Sequence, residues 1–95
     1  MADDAVTKRI EATLRAALDP DQIEVHDDSH KHAGHAGAVP GKTTHVRIVV
    51  AAEKLRGLSR LERHRRINAL LQPEIDAGLH AIQILARAPG EMPGG

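Results

Sequence analysis

No cysteine occurs in this chain, and neither does any phenylalanine, tyrosine or tryptophan. Without thiols there are no disulfides, no thiol nucleophile and no iron-sulfur cluster held on the protein's own thiolates, so a shared cluster would have to borrow its sulfur ligands. Without aromatic rings the core must be assembled from Ile, Leu, Val and Ala. A reader of single-stranded nucleic acid also loses its stacking platforms, each worth about 1–3 kcal/mol per base. Excess charge is missing too: 13 Lys and Arg balance 13 Asp and Glu, so no global field draws the molecule to DNA or to a membrane. Long apolar runs are absent, and Met1-Ala2-Asp3-Asp4 makes an acidic start. The expectation is therefore no signal peptide, no transit peptide, no membrane span and a cytoplasmic address. The 95 residues, 41% of them hydrophobic, suit one domain spanning 1–95.

Apolar periodicity assigns the elements. Val6, Ile10, Leu14, Ala17 and Leu18 recur at helical spacing, with Lys8, Arg9, Glu11 and Arg15 opposite, and Asp3 or Asp4 is placed to cap this helix. Asp19-Pro20 stops it, because a residue before proline is disfavoured in the α region. Ile23 and Val25 alternate with polar neighbours in a short strand that ends at Asp27-Asp28. His45 to Ala51 predicts a second strand, with Val46, Ile48 and Val50 on one face and Arg47 and Val49 on the other.

Gly57 marks a turn, and Ser59-Arg60-Leu61-Glu62 has the form of a capping box that opens a second helix. Leu61, Ile67, Leu70, Leu71 and Ile75 are read as its apolar stripe, with Pro73 forcing a kink or a fresh turn. Gly78 suits a left-handed C-terminal cap. His80, Ile82, Ile84 and Ala86 alternate as a third strand, and residues 88–95 read as a loose tail. The order helix, strand, strand, helix, strand predicts an α+β two-layer sandwich. Its sheet is three-stranded and mixed, with the second and third strands parallel and both helices on one side.

Two groups of residues stand out chemically. The chain has seven histidines, and His26, His30, His32, His35 and His45 lie in or beside the segment 28–44. That segment is rich in Gly, Ala and His and is expected to be a flexible loop. Imidazole is the commonest metal ligand, yet His30-Lys31-His32 followed by His35 matches no strict zinc spacing and fits a solvated polar loop equally well. His64 falls beside the helical stripe, as a half-buried core histidine or a ligand; His80, at the helix-to-strand passage, admits the same two readings. The second group is the basic run Lys54, Arg56, Arg60, Arg63, Arg65 and Arg66, a solvated helix face or a contact for phosphate oxygens. Gly34-His35-Ala36-Gly37 has the GxxG spacing of KH domains but lies between strands, where that motif does not belong. No nucleophile elbow or phosphate-binding glycine loop is present, so an enzyme is not expected.

Five segments in order resemble the BolA family: Glu24 to His35, Thr44-His45-Val46-Arg47, Arg56-Gly57-Leu58-Ser59, Arg63-His64-Arg65 and Gly78 to Ile84. The resemblance implies a class II KH-like fold. It also implies a non-enzymatic adaptor that pairs with a monothiol glutaredoxin and shares a 2Fe-2S cluster with that partner's cysteine and a glutathione thiol. Carried onto this sequence, the metal ligands are His80 and a loop histidine, His32, with His30 and His35 as substitutes. The work implied is iron-sulfur cluster trafficking or iron homeostasis. A homodimer stands as a further expectation, and DNA-binding transcription regulation through Lys54 to Arg66 as the alternative function. The chain departs from the family at Lys54-Leu55-Arg56-Gly57 and at Ala88-Pro89-Gly90-Glu91-Met92, where an aromatic residue is usual.

Overall fold

The computed structural model describes residues 4–28 and 45–91. Helix α1 (Asp4–Leu18) leads into β1 (Gln22–Asp27), and β2 (His45–Ala51) is followed by a 3-10 turn (Glu53–Leu55). Then come α2 (Arg60–Leu70), the short α3 (Gln72–Asp76) and β3 (Ala81–Arg87). The first helix starts at Asp4, which is therefore a helical residue rather than a cap. Pro73 resolves as a fresh helix: it stands in the first turn of α3, where the amide it lacks would have had no partner.

The sheet has the order β1-β2-β3, with β2 antiparallel to β1 and parallel to β3. Ile23 and Val25 pair with Val50 and Ile48, and Ile82, Ile84 and Ala86 pair with Val46, Ile48 and Val50. All these side chains share one face because strand residues alternate sides. They meet Val6, Ile10, Leu14 and Leu18 of α1 together with Ile67 and Leu71, and Ile10, Leu14, Ile48, Val50 and Ile67 have no solvent exposure at all. The expected α+β architecture with its three-stranded mixed sheet is what forms.

Leu61 departs from the expected stripe and is 57% exposed. Six residues at 3.6 per turn leave it about a third of a turn away from Ile67, so both cannot face the sheet. Arg63 is the larger surprise. Its side chain is 11% exposed and donates to the Leu58 carbonyl at 3.0 Å, the Ala86 carbonyl at 3.3 Å and Glu91 at 2.7 and 3.2 Å. Glu91 also accepts the Ala88 amide at 2.7 Å, and Ala88 is fully buried. The reading of 88–95 as a loose tail is thereby corrected for residues 88–91, which an ion pair ties down; residues 92–95 lie outside the described residues.

Two measurements test these anchors. Ser59 accepts the Glu62 amide at 3.1 Å, the serine half of a capping box. Ser59→Ala should lower unfolding free energy by about 1 kcal/mol in urea denaturation. Glu91 is held well below the ordinary 4.5, at about 2, first by its hydrogen bonds from Arg63 and then by the Ala88 amide. A carboxylate with a depressed folded-state value stabilises fully above the unfolded value and loses that contribution as pH falls through the folded one. The gap in denaturation midpoint between the protein and Glu91→Gln should therefore be constant above about pH 5.5 and close between about pH 4.5 and 2. A gap that is independent of pH would show that the bond carries no charge.

Candidate metal centre at the head of the sheet

His80 is positioned by the end of α3. Gly78 has φ +120°, a conformation L side chains rarely adopt, and its amide donates to Ile75 at 3.1 Å while the Leu79 amide reaches back to Glu74 at 2.9 Å. These two bonds form a Schellman motif, and its following hydrophobic residue, Leu79, is buried at 5% exposure. The chain then turns straight into β3. His80 is held between a buried anchor and the first ladder residue, with its own side chain exposed. It precedes the strand rather than opening it, which is why it does not share the burial of Ile84.

His45 stands beside it as the first residue of β2, half-buried and paired with Ala81 in the parallel register. The Asp28 amide donates to its carbonyl at 2.9 Å and so fixes its backbone from the β1 side. The two rings have centroids 6.0 Å apart and planes inclined by 41°. Residues 29–44, and with them His30, His32 and His35, lie outside the described residues. Among the described residues, no group of three or more His, Cys, Asp or Glu gathers where it could hold a metal ion.

The remaining described histidines lie elsewhere. His26 lies 3.0 Å from the Glu24 carboxylate, and that contact is the main reason Glu24 sits below the usual carboxylate range. His64 is half-buried on α2.

The basic run does not form one face. Arg63 is taken up inside the fold, as described above, and so leaves the set of nucleic-acid candidates. Arg56 pairs with Glu53 and donates to the Pro89 carbonyl at 2.8 Å; Lys54 donates to the Ala17 carbonyl at 3.2 Å. Only Arg60, Arg65 and Arg66 of the six project from α2 without an ion pair or side-chain hydrogen bond among the described residues. Sequence adjacency concealed this division, because partners such as Glu91 and Ala86 arrive from distant parts of the chain.

The family model for BolA-like proteins matches residues 14–91. The chain belongs to the BolA-like family. An uncharacterized protein in the cobS 5' region of Sinorhizobium is 43% identical over 92% of this chain and 95% of its own length. The SufE-like protein 1 of Arabidopsis thaliana, chloroplastic/mitochondrial, is also 43% identical over 88% of this chain, which spans only 24% of that longer protein. The solved BolA domain of SufE1 from Arabidopsis thaliana superposes with a TM-score of 0.83 at 37% identity, covering 97% of this chain and 99% of the domain. The BolA-like fold thus accounts for every element described above. No helix among the described residues is long and apolar enough to cross a membrane.

Proposed function

We propose that this BolA-like protein is a non-enzymatic adaptor that pairs with a monothiol glutaredoxin and contributes nitrogen ligands, His80 and His32, to a shared 2Fe-2S cluster. The observation that carries the reading is His80 itself: an exposed imidazole held at the sheet head by the buried Leu79 and the Gly78 cap. The donor chemistry suits a shared cluster. The chain has no cysteine, and the described residues gather no complete metal site, so sulfur ligands from a glutaredoxin cysteine and glutathione would supply the other half. When bound, such a cluster supplies the cargo or the iron signal. The chain's own residues orient an imidazole toward the partner and hold it there.

A relative named SufE-like carries a BolA domain, which supports a role related to iron-sulfur chemistry. BolA-like proteins are not known as enzymes, in keeping with the adaptor reading. Glutaredoxin pairing, the cluster and a cytoplasmic address belong together in this proposal. The test is to mix the protein with glutathione-loaded monothiol glutaredoxin under anaerobic reconstitution. The expected result is a heterodimer on size exclusion whose visible spectrum differs from that of the glutaredoxin homodimer cluster. An unchanged spectrum with no heterodimer peak overturns the proposal.

A further inference from the structure

Between the buried Leu71 and the buried Leu79 no residue is buried: Gln72, Pro73, Asp76, Ala77 and Gly78 are exposed, and Glu74 and Ile75 are half-buried. Helix α3 is thus a strap held at its two ends by leucines, with no buried residue of its own. So short a helix does not hold itself, because nucleation fixes several residues before many hydrogen bonds form. A side-chain fork ties it sideways to α1. Arg9 donates from Nε to Glu74 Oε2 at 2.9 Å and from Nη2 to Glu74 Oε1 at 3.0 Å, the bidentate geometry of a strong charged pair. Among the described residues, no other side-chain hydrogen bond joins α3 to another element; Gln72 bonds Asp76 within the helix. The Glu74 side chain is 15% exposed against 54% for Arg9, so the carboxylate is the sheltered half. Its hydrogen bonds from Arg9 are the main reason it sits below the usual carboxylate range.

Glu74 also connects this fork to His80. Its backbone carbonyl accepts the Leu79 amide at 2.9 Å, the outer bond of the Schellman motif, and His80 is the next residue. We propose that Arg9 and Glu74 are positioning residues for His80: the fork fixes α3, and through the Glu74 carbonyl and Leu79 it fixes where the imidazole stands. This role rests on the reading of His80 as a cluster ligand and adds two residues that touch no ligand themselves. A partly exposed ion pair contributes little to global stability, so its removal should loosen the strap rather than unfold the domain.

The experiment compares Arg9→Gln, Glu74→Gln and the double variant. In the full chain alone, hydrogen exchange at the Leu79 amide should quicken by about tenfold in each single variant, with the β2 amides and the urea midpoint nearly unchanged. In the complex reconstituted with glutathione-loaded monothiol glutaredoxin, the visible circular dichroism should shift. Cluster loss to a chelator should be faster by about tenfold or more, the range seen for groups that orient metal ligands. The double variant should match the singles, since each removes the same contact. Arg9→Lys, which keeps the charge but not the fork, should fall between. Unchanged Leu79 exchange in either single variant, additive effects in the double, or the parent spectrum and chelator rate in the variant complexes would each overturn the positioning role. So would a urea midpoint that falls in step with Leu79 exchange, the mark of a purely structural pair. If the unsubstituted protein forms no complex, the cluster reading fails instead, and Leu79 exchange still decides whether the fork fixes the strap.

Discussion

Arg63→Ala should destabilise the fold by about 2–3 kcal/mol, although arginine on a helix next to other arginines looks expendable. The guanidinium, 11% exposed, serves the Leu58 and Ala86 carbonyls and both Glu91 oxygens at once. Truncation takes the donor from the two carbonyls at once and leaves the Glu91 carboxylate with only its Ala88 amide bond, and hydrogen bonds to charged groups are each worth more than neutral ones. Arg63→Lys should recover only part of the loss, because one ammonium cannot reproduce a bidentate fork and two carbonyl contacts. The double variant with Glu91→Gln should lose less than the sum of the singles, since the two residues share one network. Arg65→Ala provides the comparison: that exposed side chain should move the urea midpoint by no more than about 0.5 kcal/mol. Equal effects at positions 63 and 65 would refute the network. The same contrast bears on nucleic acid. A loss of DNA binding in Arg63→Ala would report unfolding rather than a lost phosphate contact.

The largest functional effect is expected at His80. His80→Ala should abolish the imidazole-perturbed spectrum of the reconstituted glutaredoxin complex while the apo-protein stays folded, because the side chain is exposed and removing it leaves no cavity. His32→Ala should give a smaller or mixed change, since His30 and His35 are close by in sequence and offer the same donor. The comparison is between visible circular dichroism spectra of complexes at matched iron content. Where a thiolate takes the vacated position, the reduction potential should also fall, as imidazole in place of thiolate raises it in Rieske-type centres. A His80→Ala complex with the parent spectrum and potential would remove His80 from the ligand set.

Much of this architecture was legible in the linear chain because its signals are local. The alternation of Val46, Ile48 and Val50 defines a buried strand face through the period of two, and the Ser59 and Gly78 caps act within a few residues of themselves. Proline at position 73 needs only its missing amide to end one helix and begin another. The missing thiols and aromatics exclude whole classes of chemistry whatever the fold.

Contacts between distant residues decided the rest. Arg63 and Glu91 lie 28 residues apart, so the basic run could not reveal which of its charges was already committed. Leu61 lies off the buried arc of α2 because its phase depends on which arc faces the sheet, and the buried Ile67 and Leu71 settle that. The pairing of His45 with His80 arises from the parallel register of β2 and β3, which sets His45 opposite Ala81. A parallel neighbour is joined through a helical crossover, so the residues it brings side by side carry no mark in the sequence between them.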